Sequence, residues 1–143
     1  MLAGQLALIL ASVFAGAALY VSLVEHPVRL TLDDRAALEE WKPAYKRGFA
    51  MQGPLAVAGF LLGLLAWWQN GNWLWLAGAL VLIANWPFTL IAILPTNNTL
   101  MAMDGAQAGA ESRALLARWG VLHAVRTALG CLAALIFLAA SLR

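Results

Sequence analysis

Charge is what this chain has least of. Only 11% of its 143 residues are Asp, Glu, Lys or Arg, while 63% are hydrophobic and the mean hydropathy is +0.79. Ordinary soluble domains run at roughly 25% charged and 45–50% apolar, and a soluble core has no room for this much apolar surface. The one cysteine, Cys131, excludes an intrachain disulfide and lies inside an apolar stretch, where it reads as small buried filler. There is no Gly-x-Ser-x-Gly elbow, no P-loop and no Gly-x-Gly-x-x-Gly, which removes hydrolase and nucleotide-binding readings. The net charge is only +2, and acids and bases are intermixed rather than gathered into a basic tract. Nucleic acid is therefore excluded as a partner.

What is present is four long apolar stretches, Gly4 to Val24, Phe49 to Trp68, Trp73 to Leu94 and Trp119 to Leu142, each near the roughly 20 residues a helix needs to cross a bilayer. Backbone groups in hydrocarbon must be satisfied within the segment, so the spans are expected to be α-helices. The short turn Gln69-Asn70-Gly71-Asn72 makes the second and third an antiparallel hairpin. The expected fold is all-α: one integral membrane four-helix up-and-down bundle over residues 1–143, with a short amphipathic segment after helix 1. The first span has no basic n-region and no cleavage site, so it is read as retained rather than as a signal peptide. Glu25-His26-Pro27 is expected to end it, because the residue before proline is biased away from helix. The segment that follows, capped by Thr31 or Asp33 and ending before Pro43, is expected to lie along the membrane surface or to lid the bundle.

Lysine and arginine collect in the first connection (Arg29, Arg35, Lys42, Lys46, Arg47) and the third (Arg113, Arg118), with Arg126 just inside the fourth span, leaving only Arg143 on the other side. By the positive-inside rule both long connections are cytoplasmic and both termini outside, in a membrane expected to be a bacterial inner membrane. Trp67, Trp68, Trp73 and Trp75 crowd the short turn as an aromatic belt. Three stripes of small or polar residues read as helix seams: Ser12, Gly16 and Tyr20; Gln52, Ala56, Gly59 and Gly63; and Gly120, Ala124 and Ala128. Any spare small-residue face makes a homo-oligomer an open partner alongside the lipid bilayer.

Alternation of the spans brings Glu25, His26, Arg29, Arg47, Gln52, Asn97, Asn98, Trp119, His123 and Arg126 to one end. Trp119, His123 and Arg126 stand at i, i+4 and i+7, one face of a helix. A histidine and an arginine facing lipid are expensive, so that face is expected to look into the bundle; the bland alternative is a snorkelling Arg126 and a helix-locking His123. Asn85, with Pro87 and Thr89 beyond it, either shapes a pocket at a kink or staples two helices. Glu25, His26 and His123 form the one conceivable metal set, yet no His-x-x-x-His or Cys-x-x-Cys spacing supports it, and no metal is expected.

Tyr20 followed by Glu25-His26-Pro27-x-Arg29, then Asn85-x-Pro-x-Thr89 leading to Pro95-x-Asn97-Asn98-x-Leu100, and finally Trp119-x-x-x-His123-x-x-Arg126 together make the chain resemble the anthrone oxygenase-like family of membrane proteins, a group also carried as a domain of unknown function. The resemblance spans most of the chain. It implies a four-helix membrane protein, some of whose relatives oxidise polyketide anthrones to anthraquinones with molecular oxygen and no obligatory cofactor. Under that implication His123 is the general base and His26 its reserve or relay. Arg126, with Asn97 or Asn85, stabilises an enolate oxygen, and Trp119 and Tyr20 stack on a flat ring system. Asn98, Arg29, Arg47 and Gln52 complete the ligand-binding candidates. No cofactor is expected, and molecular oxygen is the expected co-substrate. A module that binds a lipophilic small molecule or a protein partner without turnover, and a metal-dependent membrane protein, remain open beside the oxidoreductase reading.

Overall fold

The computed structural model describes residues 2–143. Four helices, each long and apolar enough to cross a membrane, account for nearly all of it: α1 (Leu2–Arg29), α2 (Asp34–Asn70), α3 (Trp73–Ala102) and α4 (Ala110–Ser141). They form an up-and-down bundle in which α1 packs on α2 and α4, and α3 completes the square against α2 and α4. Gly71 turns the α2–α3 corner in the left-handed region at φ 72°, where a side chain would be strained, and the Asn72 side chain then caps α3 by accepting from the Leu74 amide at 3.1 Å.

Three helix ends differ from expectation. Pro27 does not stop α1: a π-helical turn over Val21–Glu25 precedes it, and the helix runs on to Arg29. The segment after helix 1 is not a separate surface helix. Asp33 caps α2, accepting from the Ala36 amide at 2.9 Å, and α2 then continues through Pro43 and Pro54 for 37 residues. Both prolines lie on its exposed side, where the missing N–H and the crowded carbonyl are relieved without disturbing the packed face. At 1.5 Å per residue, such a helix is about 55 Å long, well beyond the roughly 30 Å of hydrocarbon, so the charged half of α2 stands beyond the apolar slab. The third helix likewise extends past Leu94 to Ala102, with a break at Ala84 near Pro87 and a second π-helical turn over Thr89–Ile93.

Two apolar cores result. One fills the apolar half, where the small residues Ala3, Ala7, Ala11 and Ala18 of α1 let Trp75, Phe14 and Phe137 interdigitate. Side chains at Gly59 and Gly63 would collide with Leu82, Ala79 and Phe137, so the α2 stripe is a true seam. The α1 stripe faces outward, with Ser12, Gly16 and Tyr20 exposed, and α1 uses its alanines instead; on α4 only Gly120 packs inward, against His26, while Ala124 and Ala128 are exposed. Trp75 likewise leaves the expected belt, being buried against Phe137 with ring centroids 5.7 Å apart, while Trp67, Trp68 and Trp73 are exposed at the turn. The second core lies at the charged end, where Leu38, Trp41, Leu100, Leu116 and Trp119 pack together. Arg113 of α4 fastens that end by donating to the carbonyls of Leu30 at 2.9 Å and Leu32 at 2.6 Å.

Candidate active site

Between the two cores residues of all four helices line a partly open cavity, a concave setting of the kind small-molecule sites use. Each helix places its wall by periodicity. Trp119, His123 and Arg126 come from α4; Tyr45, Phe49 and Gln52 repeat the same i, i+4, i+7 spacing on α2; Thr89, Ile93 and Asn97 come from α3. Val21 and Glu25 bracket the π-helical turn of α1, and Thr89 and Ile93 bracket that of α3. Both irregular turns thus face the cavity, as such turns often do at functional sites.

His123 is 5% exposed, stacked on Trp119 with centroids 4.9 Å apart, and its Nδ1 lies 3.0 Å from the Ser22 hydroxyl. One turn on, Arg126 is 8% exposed. Its guanidinium donates to Thr89 Oγ1 at 2.5 Å and to Gln52 Oε1 at 3.2 Å and lies 5.7 Å from the Phe14 ring, while Nε has no partner. Among the described residues no carboxylate stands within ion-pair distance of it. A cation in a low-dielectric setting without a counter-ion is costly, and the space it faces is prepared for negative charge. Asn97 is buried on the same wall with neither its amide nitrogen nor its oxygen hydrogen-bonded. Such an amide offers both a donor and an acceptor to a ligand.

Arg29 is handled oppositely. At 2% exposure it is neutralised by Glu25 and Glu40 and sits 5.5 Å from the Trp119 ring, so the cavity has one compensated cation and one uncompensated.

The remaining sequence candidates divide by place. Gln52, Arg29 and Glu25 are on the wall with the α4 trio. His26 is behind it: its ring lies 5.1 Å from Trp119, Arg29 donates to its Nδ1 at 3.0 Å, and its Nε2 abuts Gly120. Asn85 lines a smaller adjoining space with Arg126, Trp86 and Gly53, its Nδ2 donating to the Leu82 carbonyl at 3.0 Å. Tyr20, 57% exposed, and Arg47 and Asn98, both exposed, are off the wall. The outward turn of the Ser12–Gly16–Tyr20 face and the continuation of α2 through Pro43 and of α3 past Pro95 put them there. Tyr45 and Phe49 supply the aromatic surface instead, with Trp41 stacked on Tyr45 at 5.0 Å and 3°. Their spacing ahead of Gln52 was the available signal, masked by the lysine and arginine around them. Among the described residues no three His, Cys, Asp or Glu side chains converge as a metal set, and Glu25, His26 and His123 do not form one.

Residues 41–136, which carry most of this wall, match the anthrone oxygenase family. The chain belongs to the anthrone oxygenase family. It is 36% identical over 131 residues to Anthrone oxygenase tpcL of Aspergillus fumigatus, covering 85% of this chain and 81% of that protein. An anthrone oxygenase of Claviceps purpurea is 31% identical over 130 residues, with 80% and 74% covered, and Anthrone oxygenase AgnL2 of Paecilomyces divaricatus 29% over 147 residues, with 91% and 89% covered. All three are fungal, whereas the expected setting is a bacterial inner membrane. No solved structure matches the chain. Within this anthrone oxygenase family member, the matched segment holds His123, Arg126, Asn97, Gln52, Tyr45 and Phe49 but none of α1.

Proposed function

We propose that this anthrone oxygenase family member is a membrane-embedded oxidoreductase that converts a flat, lipophilic anthrone-type aromatic to the corresponding quinone with molecular oxygen and no bound cofactor. The observation that carries the reading is the pairing, one helical turn apart on a single cavity wall, of a buried histidine with a buried arginine that has no acidic partner. An anthrone has an acidic CH₂ opposite its carbonyl, and its conjugate base is an aromatic enolate. His123 accepts that proton. The charge moves to the carbonyl oxygen, where Arg126 and the free amide of Asn97 meet it in a low-dielectric site. Tyr45, Phe49 and Trp119 hold the ring plane.

The electron-rich carbon passes one electron to oxygen, the radical pair combines, and the imidazolium returns its proton to give a hydroperoxide. Loss of water leaves the new carbonyl. The sum is anthrone plus O₂ giving anthraquinone plus water. A lipophilic substrate of this kind partitions into the bilayer, which suits a cavity enclosed by spans, and the lysine and arginine count puts the charged end on the cytoplasmic side.

Oxygen uptake by the purified, detergent-solubilised protein with an anthrone tests the reading. One O₂ consumed per anthraquinone formed, lost in His123→Ala with helicity intact, is the expected result. A co-purified aromatic or quinone with no turnover would establish a binding module instead, and stoichiometric metal in elemental analysis would move the chemistry to a metal site.

A further inference from the structure

A histidine serves as a base only through a bare nitrogen, and which nitrogen is bare is set by what the other one touches. His123 makes its ring hydrogen bond through Nδ1, to Ser22 Oγ at 3.0 Å. Ser22 is not the end of the chain of contacts. Its hydroxyl also lies 2.8 Å from Thr127 Oγ1, which in turn lies 3.2 Å from the Ala18 carbonyl and 3.2 Å from the His123 carbonyl. Three side chains and two carbonyls therefore share only three protons at most, and the count can be closed.

Carbonyl oxygens only accept. Two of them converge on the Thr127 hydroxyl, and turning its lone pairs towards both would be repulsive, so its proton points to the carbonyl side, as helical threonines commonly do one turn back. The Ser22–Thr127 bond must then be donated by Ser22. With its one proton used, Ser22 can only accept from His123, and Nδ1 must carry hydrogen. We propose that Ser22 and Thr127 are positioning residues that hold His123 as its Nδ1–H tautomer, leaving Nε2 as the free basic nitrogen beside the cavity. The proposal rests on His123 being the base of the reading above. It also gives the π-helical turn of α1 a purpose, since Ser22 is its second residue. In water the imidazole favours the opposite tautomer, so the fold must supply the bias.

Thr127→Val is the informative variant, because it keeps the shape and touches no His123 side-chain atom. Losing the threonine oxygen frees the Ser22 proton for His123 Nδ1, and the tautomer inverts. Nitrogen-15 NMR of the full-length protein, labelled at its two histidines and assigned with His123→Gln, reads this directly. The expected result is Nδ1–H in the wild type and Nε2–H in Thr127→Val and Ser22→Ala, with Thr127→Ser restoring the first. With an anthrone, both inverted variants should lose roughly 10²-fold in kcat at unchanged KM, and the double variant should be no worse than either alone. An Nε2–H wild type, or a tautomer unmoved by Thr127→Val, overturns the proposal whatever the activity. An inverted tautomer with unimpaired turnover leaves the positioning intact and refutes His123 as the base.

Discussion

Replacing Arg126 with methionine separates a site built for an anion from a site that merely tolerates a cation. Placing arginine in the middle of a membrane helix costs about 2.5–3.5 kcal/mol on insertion scales. Its bonds to Thr89 and Gln52 return about 1.5–3 kcal/mol each. These quantities nearly offset, so Arg126→Met should change stability by no more than about 2–3 kcal/mol, and the purified protein should remain folded in detergent. Turnover should behave otherwise. Removing a preorganised oxyanion donor lowers kcat by about 10²–10³-fold, with KM little affected if the contact strengthens only as the enolate forms. Arg126→Lys should fall between, since it keeps the charge but not the planar fork that spans two acceptors. Oxygen uptake and a thermal melt on the same preparations decide the matter. Wild-type turnover in Arg126→Met would show that Arg126 does not meet the enolate, and failure of that variant to fold would show that it holds the bundle together.

Tyr20→Ala, Arg47→Ala and Asn98→Ala should each leave turnover near wild type, because all three side chains are exposed and off the cavity wall; a large loss in any of them in the oxygen assay would place that side chain in contact with the substrate. Asn97→Leu, by contrast, should lower kcat/KM by about tenfold or more through loss of a buried hydrogen-bonding amide, with little change in the melt. Gly120→Ala should destabilise the charged end by about 1–3 kcal/mol, since its new methyl meets His26 in a packed setting, seen as a lower Tm that a smaller residue at position 26 relieves.

The bundle was legible because the bilayer imposes it. Four apolar stretches of sufficient length, a polar turn at Gln69–Asn72 and one histidine–arginine face on the fourth span define an all-α bundle and its charged end before any packing is known. Helix ends were less legible. Pro27 and Pro43 both read as stops, yet each is accommodated, by the first turn of a helix or by an exposed side where its lost hydrogen bond is tolerated, and α3 likewise continues past Leu94 through Pro95. Straightening those boundaries carried α2 and α3 beyond the apolar slab and turned Tyr20, Arg47 and Asn98 outward. The cavity's aromatic wall was hidden for the same reason: Tyr45 and Phe49 stand among Lys42, Lys46 and Arg47 and read as a connection until α2 is continuous. Ser22 and Thr127 carry no sequence signal at all. Their role depends on a contact between residues 101 and 105 positions apart, which only the packing of α1 on α4 reveals.

On this mechanism His123 takes a proton from a carbon acid held against Arg126. Anaerobic exchange tests it without any contribution from oxygen chemistry. An anthrone deuterated at its CH₂ is incubated with the solubilised protein in ordinary water, and loss of deuterium above the uncatalysed background is followed by mass spectrometry. Rapid washout is expected with the wild type and background washout with folded His123→Ala. Washout equally fast in His123→Ala, or none with a wild type that consumes oxygen, would contradict that mechanism.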